Sequence, residues 1–179
     1  MNFINTLMAS IGRWSIGMKR INYLVMDVDG TLTDGKVYLG NSGEEFKAFN
    51  IKDGYGIKNI LLSAGIEPII MTGRTSKIVD DRCKELGIYK VFQGVEDKEN
   101  ELKRRLDSCN AVAYIGDDVN DYECMLYVKK LGGLVGCPCD AVKEIQEISD
   151  FVSNYKGGEG AVREFIEWVV YDNRGMSKG

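Results

Sequence analysis

The sequence predicts a doubly wound α/β fold: a parallel, Rossmann-like sheet with helices on both faces and a small β-hairpin inserted after the first strand. Three observations predict it. Short apolar runs alternate with helical patterns from residue 22 onward. The runs are continuously apolar, as strands covered on both faces require, and do not alternate apolar with polar. The chain has 179 residues, 44% of them hydrophobic and 28% charged, which suits one domain able to bury about 70% of its unfolded surface without disulfide or metal.

The elements follow in order. Residues 1–18 carry Phe3, Ile4, Leu7, Met8, Ile11 and Trp14 at helical spacing, and the first basic residue, Arg13, comes too late for a signal peptide. They read as an N-terminal extension, an amphipathic helix docked on a single domain at 19–175; a membrane-surface segment is the alternative. The first strand is expected at 22–28. Residues 36–40 and 44–50 read as two strands joined by Asn41-Ser42-Gly43, a hairpin insert at about 36–50. Further strands are expected at 67–71, 90–93, 111–115, 133–136 and 150–153. Helices are expected at 54–65, 75–87, 97–108, 119–131, 141–148 and 160–171.

Composition removes several function classes. A net charge of −4 gives no nucleic-acid footprint. The chain has no histidine, which excludes Ser-His-Asp triads, Cys-His pairs and HExxH zinc sites together. Acid–base work near neutral pH then falls to carboxylates, lysine, tyrosine or a metal-bound water. The five cysteines (Cys83, Cys109, Cys124, Cys137, Cys139) form no CxxC pair and read as reduced thiols of a cytoplasmic protein. No run reaches the ~18–20 apolar residues of a membrane span.

In doubly wound folds ligands bind beyond the carboxyl ends of the strands. The first expected strand ends in Asp27-Val28-Asp29-Gly30-Thr31, the second in Thr72-Gly73-Arg74; the third is followed by Gly94 and Lys98, and the fourth ends in Gly116-Asp117-Asp118 with Asp121 beyond. Capping accounts for residues such as Thr72 or Asp118. It does not account for Asp27, which sits in the apolar run Leu24-Val25-Met26-Asp27-Val28 and calls for a cation beside it. Asp27 and Asp29, two apart, share a face if the strand continues through them. With Asp117 and Asp121 they make an all-oxygen set suited to Mg²⁺, whose usual companion is a phosphate. Lys98 and Thr72 can then hold phosphoryl oxygens, and a carboxylate is the natural nucleophile.

These residues, in this order and at roughly this spacing, resemble the four motifs of the haloacid dehalogenase superfamily. The resemblance implies that Asp27 forms an aspartyl-phosphate, that Asp29 protonates the leaving alcohol and then deprotonates water, and that Mg²⁺ binds Asp27, the Asp29 carbonyl and Asp117. Asp118 and Asp121 fit either a secondary role or the start of a helix. The stretches Phe49–Lys58, Thr72-Gly73-Arg74, Asp80–Cys83, Phe92–Lys98 and Gly157–Glu164 look more narrowly like the capless 3-deoxy-D-manno-octulosonate 8-phosphate phosphatases, over about residues 21–170. That resemblance implies a cytoplasmic enzyme of lipopolysaccharide precursor synthesis, with a small-molecule sugar phosphate as its partner. It also implies a homotetramer packed through the hairpin, in which a neighbouring subunit closes the site. By matching position, substrate contacts fall on Asp29, Asn50, Ile51, Lys52, Asp53, Gly54, Lys58, Arg74, Arg82 and Lys98. Lys58 and Arg82 lie in helical stretches where plain exposed charge is an equal reading.

Independently of the resemblance, about twenty residues separate Asp34 from Gly54, room for a hairpin and not for a cap domain. Val37, Leu39, Phe46 and Phe49 would be poorly buried in a monomer, and a symmetric oligomer remedies that. A near Walker A loop at Gly30–Lys36 is discounted because Val37 stands where its hydroxyl belongs. Rival readings are a phosphatase of nine-carbon nonulosonate 9-phosphates, a phosphotransferase or mutase, and a non-catalytic scaffold. The motif carboxylates argue against a scaffold, and the missing cap against a mutase.

Overall fold

A computed structural model describes residues 21–41, 45–106 and 111–172. The expected N-terminal helix, Cys109 and the last turn of the helix expected at 97–108 lie outside the described residues. The main sheet has six parallel strands: β1 (Ile21–Met26), β4 (Glu67–Met71), β5 (Lys90–Phe92), β6 (Ala111–Ile115), β7 (Leu134–Cys137) and β8 (Phe151–Val152). Their spatial order is β5-β4-β1-β6-β7-β8, so the winding reverses between β1 and β6. A separate two-stranded ribbon pairs β2 (Tyr38–Leu39) with β3 (Glu45–Phe46), the hairpin insert. Both sequence expectations, a doubly wound sheet and an inserted hairpin, hold in the structure.

The apolar continuity of the strands has a direct physical cause: successive side chains feed two cores. Leu24, Met26, Ile70, Ala113 and Ile115 point to one face, where they meet Ile57, Leu61, Val79, Cys83, Phe165 and Ile166. Val25, Ile69, Met71, Val112 and Tyr114 point to the other, against Leu102, Cys124, Met125, Val128 and Ile145. The first face is covered by α1 (Ile51–Tyr55) with the turns after it, α2 (Lys77–Leu86) and α6 (Ala161–Glu167). The second is covered by α3 (Lys98–Arg105), α4 (Val119–Lys130) and α5 (Lys143–Ile148). Fully burying one such aliphatic side chain is worth ~1.5–3 kcal/mol, and both cores draw on the same strands.

Two elements depart from expectation. The helix expected at 54–65 starts at Ile51, because the Asn50 side chain accepts from the Lys52 N–H at 2.8 Å and caps it. It widens into a π turn over Gly56–Leu61, with Leu62 N–H donating to the Ile57 carbonyl, then tightens over Leu62–Ala64 and stops at Gly65 with φ 71°. Of the hairpin strands, expected at 36–40 and 44–50, the described residues pair as Tyr38↔Phe46 and Leu39↔Glu45. A two-stranded ribbon is marginal by itself. Strand β1 ends at Met26, so Asp27 stands just beyond it, its N–H still donating to the Ile115 carbonyl at 3.0 Å.

Candidate active site

The reversal of winding places the end of β1 beside the end of β6, the position where ligands bind in open α/β sheets. Asp27 follows the first strand and Asp117 the second. Asp121 lies in the first turn of α4, where it forms a capping box with Asp118: its Oδ2 accepts from the Asp118 N–H at 3.5 Å, and it also accepts from the Asp117 N–H at 3.1 Å. The three carboxylates Asp27, Asp117 and Asp121 offer oxygens that all lie within 4.8 Å of one another. Lys98 enters from the first turn of α3, whose N-terminus Asp97 caps through the Asn100 N–H at 3.0 Å. Its ammonium, 3% exposed, donates to Asp27 Oδ1 and to Asp121 Oδ1, each at 2.7 Å.

Other bonds fix the carboxylates in place. Thr31 Oγ donates to Asp117 Oδ1 at 2.8 Å, and the buried Tyr114 hydroxyl donates to Asp121 Oδ1 at 2.6 Å. Glycine is required at two points: a Cβ on Gly30, which has φ 98°, would lie 1.9 Å from Asp117 Oδ2, and one on Gly116 would lie 2.4 Å from Asp121 Cγ. One lysine cannot neutralise three carboxylates. Burial, then the Asp121 charge, pushes the Asp27 carboxyl up to about 7 despite Lys98. Burial, then Asp27, pushes Asp117 up to about 8. Burial works against the Lys98 ammonium, but Asp121 and Asp27 outweigh it and its pKa is raised. An uncompensated, buried, all-oxygen cluster is the donor set that a hard divalent cation fits, and Mg²⁺ among them.

Asp29 is not part of this cluster. Its Oδ1 accepts a short hydrogen bond from the Lys47 ammonium, and its Oδ2 lies 4.0 Å from Arg74 Nε. The shared strand face expected for Asp27 and Asp29 is absent because the strand stops at Met26. Thr72, buried at the end of β4, keeps the ladder going by donating its N–H to the Phe92 carbonyl at 3.0 Å, and its own carbonyl accepts from Val95 N–H at 3.1 Å. The loops after β4 and β5 are thereby held together below Arg74 and Lys98.

The remaining candidates group elsewhere in the chain. Asn50 Nδ2 donates to the Gly158 carbonyl at 3.1 Å, and Gly158 N–H in turn donates to the Thr31 carbonyl at 3.1 Å, so the glycine-rich tail loop bridges α1 to the turn after β1. Ile51 and Lys52 are exposed. Asp53 is buried; its Oδ1 accepts from the Arg163 N–H at 2.7 Å, and burial pushes its carboxyl up to about 6. Gly54 lets Arg82 close: a Cβ there would lie 2.5 Å from Arg82 Nη2. Arg82 lies in the second half of α2, about 9 Å of rise from the Ser76 cap, bonds Glu85 at 2.8 Å and faces the Phe49 ring. Lys58 reaches the Glu85 carbonyl at 3.4 Å. Within one chain, Lys58 and Arg82 do not join the carboxylates. Sequence reasoning gave no role to Tyr114 or Lys47. A tyrosine in the strand Ala111–Ile115 was the available signal for the first, since a buried phenol needs a partner; nothing in the local pattern marked Lys47.

No family model matches the chain. Curated relatives do. The chain is 43% identical over 156 residues to the 3-deoxy-D-manno-octulosonate 8-phosphate phosphatase KdsC of Salmonella typhi, an alignment covering 85% of this chain and 80% of that protein. Among solved structures, the 3-deoxy-D-manno-octulosonate 8-phosphate phosphatase from Yersinia pestis superposes with a TM-score of 0.78 at 40% identity, covering 89% of this chain and 85% of the other. The Moraxella catarrhalis phosphatase, solved with magnesium, phosphate and KDO, superposes with a TM-score of 0.79 at 35% identity, covering 89% and 91%.

Proposed function

The chain belongs to the 3-deoxy-D-manno-octulosonate 8-phosphate phosphatase family of the haloacid dehalogenase superfamily, and on that premise we propose that it hydrolyses this sugar phosphate to the free sugar acid and phosphate. The observation that carries the reading is a division of labour between two aspartates: Asp27 is held by Lys98 within the carboxylate cluster, while Asp29 is held apart from it by Lys47.

Asp27 attacks phosphorus as the bond to the sugar oxygen breaks, and Asp29 gives that oxygen a proton. Asp29 then takes a proton from the water that cleaves the aspartyl-phosphate, and Asp27 is regenerated. Lys98 orients the nucleophile and presents positive charge beside the phosphoryl oxygens; Thr72 flanks it at the neighbouring strand end. Mg²⁺, held by Asp27, Asp117 and the Asp29 carbonyl, supplies the positive charge that lets two anions meet. Asp121 braces Lys98 and the start of α4.

Arg74, beside Asp29 and half-exposed, suits the substrate carboxylate. For Asn50–Gly54, Lys58 and Arg82 the reading is a contribution across a subunit boundary. Leu39 and Phe46 of the hairpin are 71% and 65% exposed, and Ile51 beside it 83%, apolar surface that a homotetramer would cover. Among the described residues no helix is long and apolar enough to cross a membrane. The pathway reading is cytoplasmic synthesis of a lipopolysaccharide precursor.

The test is phosphate release from octulosonate 8-phosphate and from two nonulosonate 9-phosphates, with Mg²⁺ or EDTA, beside Asp27→Asn. Fastest turnover of the eight-carbon substrate, lost with EDTA and reduced at least about 10⁴-fold by Asp27→Asn, is expected. Faster turnover of a nine-carbon substrate would reassign the sugar; no release from any would overturn the reading.

A further inference from the structure

We propose that Lys47 is the positioning residue for proton transfer: its ammonium, delivered from the hairpin, fixes the Asp29 carboxyl on the leaving-group side of the site. The proposal rests on the reading of Asp29 as the acid–base group.

The hairpin reverses the usual order of burial. Phe46 is 65% exposed, whereas the next residue, Lys47, is half-buried with only 2% of its side chain exposed. A buried ammonium costs several kcal/mol unless it is paired and hydrogen-bonded. One pairing it makes is with Asp29, 18 residues earlier in the chain and across the loop that follows β1. Arg74 Nε stands 4.0 Å from the other oxygen, so the two oxygens of Asp29 face two different cations. Asp27, by contrast, takes its cation from α3. Among the described residues Lys47 is the hairpin side chain bonded to Oδ1, and its loss releases that oxygen to turn about χ1 and χ2.

Orientation matters only where a proton must move. When the ester bond breaks and the Asp27–phosphorus bond forms, the electron pair goes to the sugar oxygen, and the Asp29 proton neutralises it. When water's oxygen bonds to phosphorus and the Asp27–phosphorus bond breaks, Asp29 takes a proton from that water and is recharged. A sugar alkoxide needs the proton in the first step; a p-nitrophenolate leaves without one. The second step is common to both substrates, but kcat/KM reports only the steps up to loss of the leaving group. A residue that positions Asp29 therefore affects kcat/KM for the first substrate class and spares it for the second.

The experiment compares kcat/KM on octulosonate 8-phosphate and on p-nitrophenyl phosphate for the Mg²⁺-loaded wild-type enzyme, Lys47→Met, Lys47→Arg and Asp29→Ala. Lys47→Met is expected to lower kcat/KM on the sugar phosphate about 10- to 100-fold and to change kcat/KM on p-nitrophenyl phosphate less than about 3-fold. Lys47→Arg should restore part of the ratio. The ratio of two substrates on one preparation does not depend on the folded fraction, so misfolding cannot imitate this result. Equal losses on both substrates, or none on either, with Asp29→Ala showing the selective loss, would overturn the Lys47 proposal alone. Equal losses for Asp29→Ala would overturn the acid–base reading, and the role of Lys47 with it.

Discussion

The carboxylate cluster and the hairpin both invert the rule that apolar groups are buried and polar groups exposed, and they resolve the inversion differently. In the cluster, Asp27, Lys98 and Asp121 are buried polar groups, and the chain itself supplies their partners through Lys98, Thr31, Tyr114 and the start of α4. One cation remains short, and a metal fits that deficit. In the hairpin, Leu39 and Phe46 are exposed apolar groups for which the described residues of the chain supply no cover. A polar inversion can be compensated over a few ångströms by specific bonds. An apolar one needs area, which the described residues do not provide.

The largest expected effect comes from breaking the cluster. Lys98→Met leaves three close carboxylates with no cation, and removing one partner of a buried pair costs ~3–5 kcal/mol. Unfolding without metal should shift by that amount, and turnover should fall at least about 100-fold. Saturating Mg²⁺ should recover stability and not turnover. Unchanged metal-free stability would mean that the cluster is not held together as described.

The hairpin is broken by charge. On the proposed homotetramer, Leu39→Glu with Phe46→Glu should lower the mass in solution about fourfold, to that of a monomer, measured by sedimentation. The far-ultraviolet circular dichroism should be unchanged, because both side chains stand outside the two cores. An unchanged mass would show that the hairpin is not the contact surface.

A smaller effect concerns Asp53, buried in α1. Its carboxyl is pushed up to about 6 from an ordinary 3.8 by burial, against help from the Arg163 and Gly160 N–H groups. Between about pH 4 and 6 the native state therefore holds more protons than the unfolded chain, so stability falls as pH rises through that window and levels off above it. Relative to Asp53→Asn, the wild type should lose on the order of 2–3 kcal/mol between pH 4 and 7, read by urea unfolding. Parallel pH profiles would mean that Asp53 does not titrate there.

The sequence by itself determined the sheet and which strand ends carry chemistry. Strands at 67–71 and 111–115 stand where the apolar runs put them, because burial on both faces leaves a continuous apolar signature. Asp27 was legible because a carboxylate inside such a run has no other use, and Asp117 because it follows a strand. The tertiary structure alone decided the partners. Lys98 meets Asp27 across 71 residues and Thr31 meets Asp117 across 86, separations at which no local pattern survives. It drew Asp121 into the cluster, turned Asp29 away from it toward Lys47, and kept Arg82 against Glu85. Periodicity encodes which face a residue occupies. Which charge it meets there depends on how strands far apart in sequence are ordered in the sheet, and only the folded chain fixes that order.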